Sequence, residues 1–111
     1  MTLSTDFRVF GVGLALVRSL RGPVARVRRQ NRKLADQLVT AASSVTANLA
    51  EGNRRTGRDR LHHFRIAAGS ADETRGHLLT CEAWGWLHRD DIAEALDHAD
   101  HILAITWKLT R

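Results

Sequence analysis

The 111-residue chain has one cysteine, one proline, one methionine and no tyrosine. A lone Cys81 excludes an internal disulfide framework and fits a reducing interior. A lone Pro23 leaves long stretches without the residue that breaks helices. Aromatic residues reach only 5%. No segment alternates β-branched or aromatic residues with polar ones, so no sheet is expected. Long hydrophobic runs are missing as well. The longest stretch without a charged residue, Gln37 to Ala50, is rich in Ser, Thr and Ala and is shorter than the ~20 apolar residues of a membrane span. Val9 to Val17 is apolar, but Asp6 precedes it and arginines follow it, which argues against a signal-peptide core. These absences predict a small, single-domain, cytoplasmic protein with no membrane partner.

Strong helix formers, above all Ala, Leu and Arg, make up much of the rest. With 43% hydrophobic and 26% charged residues, the composition suits a folded chain. Helices are expected over about 6–21, 24–51, 58–86 and 90–110. Ser4, Thr5 or Asp6 caps the first, whose Phe7, Phe10, Leu14 and Val17 form one stripe and whose Val9, Val12, Leu16 and Leu20 form the next. That helix is apolar over too much of its circumference for a thin bundle to bury, which favours self-association. In the second, Val24, Val27, Asn31, Leu34, Leu38, Ala41, Val45 and Asn48 alternate three and four apart as a heptad seam, and Gly52 is expected as a left-handed cap. The third carries a series of mostly small residues, Phe64, Ala67, Ala71, Thr74, Leu78 and Cys81. The fourth, capped by Asp90, carries Ile92, Leu96, Ala99, Leu103 and Thr106. Short connections make the predicted fold all-α, an antiparallel up-down-up-down four-helix bundle.

Charge is uneven along the chain. Arg8 to Arg65 holds 13 Lys+Arg against three acids, a balance of +10, and Ile66 to Arg111 holds four against eight, a balance of −4. With Asp6 the total is +5. One basic cluster is Arg26, Arg28, Arg29, Arg32 and Lys33, and the other is Arg54, Arg55, Arg58, Arg60 and Arg65. All but Lys33 of the 13 are arginine, whose planar fork suits phosphate. The clusters point to contacts with the phosphate backbone of RNA or DNA, without base readout, through Arg54, Arg55, Arg58, Arg28, Arg29 and Arg32. The plainer alternative is a solvated face that pairs with the acidic fourth helix. No aromatic residue interleaves with the arginines between Arg26 and Lys33 or between Arg54 and Arg60, so base stacking is not expected.

Catalytic chemistry finds little support. His98/His101 and His77/Cys81 are each one helical turn apart, but two ligands do not make a zinc site, and no cofactor or metal is expected. No nucleophile signature or phosphate-cradling glycine loop is present, so the chain reads as no enzyme. Glu51 falls where the helix dipole disfavours a negative charge, so Arg54, Arg55 or Arg58 should compensate it. Ser44, Asn48 and Glu51 share a face, which predicts a polar clasp at the corner between the second and third helices, or, as the alternative, a ligand pocket there.

Two blocks carry a family resemblance. Ser44-Val45-x-x-Asn48-Leu49-Ala50-Glu51-Gly52-x-x-Arg55 resembles the signature of the 23S rRNA-intervening-sequence proteins, with Val45 and Leu49 where isoleucines are usual. The second block runs from Phe64 through Gly69 and Ser70 to Glu73. The resemblance implies a four-helix bundle assembled as a homopentamer. An accessory protein of diversity-generating retroelements is similar in architecture, binds nucleic acid and partners a reverse transcriptase. A reverse transcriptase or a ribosome-associated factor is therefore the alternative kind of partner, with this chain as a protein scaffold.

Overall fold

The computed structural model describes residues 5–111, with side chains from Arg8 onward. The expected caps at Ser4, Thr5 and Asp6 and the core place of Phe7 lie outside the described side chains. The helices are α1 (Thr5–Ser19), α2 (Arg21–Gln30), α3 (Arg32–Arg54), α4 (Gly57–Ala83) and α5 (Arg89–Thr110), and no strand occurs among the described residues. The fold is all-α. α3 lies along α4, α4 along α5, α1 against both α3 and α5, and α2 on α3.

The expected helix over 24–51 is two helices. Asn31, assigned to the seam, has an extended backbone (φ −157°, ψ 102°) and is exposed. Its N–H closes α2 on the Val27 carbonyl at 2.8 Å, and its Oδ1 accepts the Leu34 N–H at 2.9 Å to start α3. Asparagine is a good helix cap, and a continuous helix would stack Arg28, Arg29, Arg32 and Lys33 as like charges one turn apart. The break avoids that repulsion.

Gly52 is not a left-handed cap. It lies inside α3, which continues to Arg54, and a Cβ there would sit 2.5 Å from Cε1 of Phe64. The glycine makes room for Phe64, the largest fully buried side chain among the described residues. The left-handed positions are Gly57 (φ 60°), which opens α4, and Gly85 (φ 82°), which follows it. α4 ends at Ala83 rather than near 86, because the Gly85 N–H bonds the Glu82 carbonyl (2.9 Å) and the Trp86 N–H bonds that of Cys81 (3.0 Å), a Schellman closure. α5 starts at Arg89 with His88, not Asp90, as its cap. The Asp91 carboxylate accepts the His88 N–H at 2.9 Å.

The small-residue series of α4 is buried at every member, from Phe64 to Cys81. In α1 the buried stripe is Val9, Gly13 and Leu16, continued by Leu20 just beyond the helix, while Phe10, Leu14 and Val17 stay half-buried. Gly13 decides this: a Cβ on it would lie 3.0 Å from Cγ2 of Thr46, so α1 approaches α3 along that line. Each fully buried Leu, Ile or Phe contributes about 1.5–3 kcal/mol relative to exposure.

Candidate nucleic-acid interface

The break at Asn31 divides the first arginine cluster between two helices. Arg28 and Arg29 occupy the last turn of α2, where the helix dipole favours cations, while Arg32 and Lys33 begin α3. Arg26 bridges to Asp91 of α5 at 2.9 Å, and Arg28 pairs with Asp36. Arg29, Arg32 and Lys33 are exposed and make no ion pair among the described residues. An open depression beside them, lined by Arg32, Lys33, Asp36, Gln37, Thr40, Glu73 and His77, carries charges of both signs.

The second cluster sits at the α3–α4 corner. Arg55 and Thr56 are extended, and Gly57 turns the chain into α4. Arg55 is forked between two carboxylates, Glu51 at 3.3 Å and Asp59 at 3.2 Å. This compensates Glu51 as expected but engages an arginine assigned to phosphate. Arg60 lies over the Phe64 ring at 4.9 Å and donates to the Gly52 carbonyl at 3.2 Å. Arg65 donates to the Thr110 carbonyl at 3.2 Å. Arg54 and Arg58 stay exposed without an ion pair among the described residues. From Arg32 to Arg54 the rise of α3 is about 33 Å, so the clusters do not merge. They occupy opposite ends of a molecule 42 Å long.

Between the ends, the motif residues form a polar line in the α3–α4 contact. Asn48 Nδ2 donates to the Ser44 carbonyl (2.9 Å) and reaches its hydroxyl (3.2 Å), and Asn48 Oδ1 meets His63 Nδ1 at 3.0 Å. Ser70 donates to the Ser44 hydroxyl at 2.8 Å, and Thr74 donates to the Ser70 carbonyl at 2.8 Å. These bonds satisfy polar groups that the helix contact half-buries. Glu51 is not in this line, because Arg55 draws it outward. His63 was missed by sequence reasoning, although His63, Ser70 and His77 recur every seven residues beside the core series. Glu73 pairs with His77 at 3.2 Å, and Gly69 is exposed with nothing near its Cβ direction.

The histidines converge on no metal site: among the described residues no group of three or more His, Cys, Asp or Glu gathers. Cys81 is fully buried, and burial pushes its thiol up, away from the reactive thiolate. Asp91 is held below the usual carboxylate range by the His88 N–H and by Arg26. Glu82 is held low by Arg89, which grips both its oxygens at 2.7 Å. No described helix is long and apolar enough to cross a membrane.

Among curated proteins, none matches the chain. In structure it is similar to a protein of unknown function from the S23 ribosomal protein family of Bacteroides thetaiotaomicron. The two share 18% identity with a TM-score of 0.80 over 96% of this chain and 98% of that one, a likeness of fold. A family model described as 23S rRNA-intervening sequence protein matches residues 24–108, from the arginines of α2 through the polar line of α3 and α4 almost to the end of α5. The chain belongs to the 23S rRNA-intervening sequence protein family.

Proposed function

We propose that the protein is a non-enzymatic, oligomeric helical bundle that binds RNA or DNA without base specificity through phosphate contacts. In this proposal α1, α3, α4 and α5 form a single-domain antiparallel up-down-up-down bundle, and α2 folds back on α3. Copies assemble as a cytoplasmic homo-oligomer, a pentamer by the family resemblance, and the half-buried stripe of Phe10, Leu14 and Val17 supports self-association. The observation that carries phosphate binding is the exposed set Arg29, Arg32 and Lys33, without carboxylate partners among the described residues and, for the last two, at the positive end of α3. Arg54 and Arg58 form a second, smaller contact at the far end, and Arg28 and Arg55 contribute less because acids already hold them.

Affinity for a mixed-sequence DNA duplex, measured against salt, tests this. The logarithm of affinity should fall linearly with that of salt. Arg29→Glu with Arg32→Glu should weaken binding about tenfold or more and reduce the slope by about 1.8. Arg55→Ala should leave both nearly unchanged. A flat salt response would overturn the proposal. A second function, as a scaffold for a protein partner such as a reverse transcriptase or ribosome-associated factor, draws support from an apolar groove between α1, α2 and α3. Val17, Leu20, Val24, Val39 and Ala42 line it. Recovery of one defined protein from the native host, insensitive to nuclease, would favour that function.

A further inference from the structure

We infer that Trp84 is a stacking platform for an unpaired nucleobase, served by the arginines of α2 and the start of α3, so that this end of the molecule takes single-stranded RNA or DNA. The inference rests on the phosphate-binding proposal and adds the strandedness of the ligand. Trp84 follows α4 directly, and its backbone is held by the Schellman closure at Gly85 and Trp86. Its indole stacks on that of Trp86 with ring centroids 5.6 Å apart and planes within 13°. Trp86 in turn packs against the core. One face of Trp84 is therefore backed by a ring anchored in the molecule, yet its side chain is among the most exposed large apolar groups described, at 65%. A fixed indole with an open π face can stack on any base, and one so held loses little freedom on binding.

The tertiary structure supplies the phosphate partners. The Arg26–Asp91 bridge ties α2 to the first turn of α5, only a few residues beyond the tryptophans. The exposed Arg29, Arg32 and Lys33 thus share an end with Trp84, although some 50 residues separate them in sequence. Several acids of this end are engaged by arginines, Asp36 by Arg28, Glu82 by Arg89 and Asp91 by Arg26, while Glu73 beside the depression lined by Arg32 and Lys33 pairs with His77 and Asp90 is exposed. A protein partner fits less well. The other large exposed apolar residues described are Val39, Ile66 and Trp107, and they stand elsewhere on α3, α4 and α5. One indole, followed in the chain by the exposed polar residues His88, Arg89 and Asp90, is far less than the roughly 800 Å² that each side of a stable interface buries.

Equal-length single-stranded oligo(U) and a DNA duplex are titrated, at one fixed salt concentration, into the full chain, Trp84→Ala, Trp84→Phe and Arg29→Ala/Arg32→Ala. Trp84→Ala should lose between about 5- and 150-fold in affinity for oligo(U) while holding its duplex affinity and sedimentation profile. Trp84→Phe should recover part of the loss. The quenching of tryptophan fluorescence by oligo(U) should disappear with either Trp84 variant. The double arginine variant should weaken on both ligands. Unchanged oligo(U) affinity in Trp84→Ala, alongside weakened binding in the arginine variant, overturns the stacking platform and leaves phosphate binding standing. No binding of either ligand by the parent chain overturns both. A Trp84→Ala chain that sediments as a smaller species marks the indole as a subunit contact and overturns the platform.

Discussion

The two arginine-rich ends of the molecule carry similar numbers of cations but use them differently. At the α3–α4 corner, Arg55 is split between Glu51 and Asp59, and Arg60 covers Phe64 and caps the Gly52 carbonyl. Those arginines close a tight turn between two long helices. At the α2–α3 end, Arg26 and Arg28 hold neighbouring elements, while Arg29, Arg32 and Lys33 face solvent. A count of arginines in sequence therefore overstates what is available to a polyanion. The placement of carboxylates decides it, because an arginine already forked on an acid must give up that contact before it meets a phosphate.

The sharpest way to break this contrast is at Gly52. If the corner is structural, Gly52→Ala must displace the Phe64 ring and the Arg60 stacked on it. The expected cost is about 3 kcal/mol by overpacking, a fall of more than 10 °C in melting temperature for a domain of this size. Duplex affinity measured well below the transition should barely move. An unchanged melting temperature would show that the corner yields easily.

The next effect is at the polar line. Asn48→Leu removes the partner of His63 and Ser44 and should cost about 1 kcal/mol. It should also disturb the oligomer profile more than Asn53→Ala, whose exposed side chain should matter by less than about 0.5 kcal/mol. Equal melting temperatures and equal profiles would refute the role of Asn48.

The smallest effect separates the ends by pH. Asp91 has a lowered pKa in the fold, so its contribution is fully present above the ordinary aspartate range and fades as pH falls through the depressed value. Thermal melts of the parent chain and Asp91→Ala should differ at neutral pH and converge below about pH 4. A constant gap at all pH values would mean that the His88 N–H bond and the Arg26 bridge do not depend on the carboxylate charge.

Much of the helical content was legible because apolar residues at spacings of three and four mark a helix face wherever the helix lies. The α4 series from Phe64 to Cys81 is buried at every position, and the contacts of Asn48 and Ser44 follow from their places beside Val45 and Leu49. The same spacing misled at Asn31. A heptad pattern continues in sequence across a cap, and repulsion among Arg28, Arg29, Arg32 and Lys33 does not register in a hydrophobic periodicity. Gly52 misled for a related reason. A glycine near a helix end serves equally as a left-handed cap or as room for a neighbour's side chain, and Phe64, twelve residues on, chose the second. Of the candidate site, the residue types were legible and their availability was not.

By itself, the amino-acid sequence determined the helical character of the chain, the apolar series of α4, the excess of arginine and the motif shared with the family. Those follow from local periodicity and composition, which need no knowledge of neighbours. The tertiary structure alone decided that Arg26 is held by Asp91 across the bundle, and that Trp84 shares an end with Arg29 and Arg32. These are contacts between distant segments, set by how whole helices pack, and ion pairing and stacking act over a few ångströms of space whatever the separation along the chain.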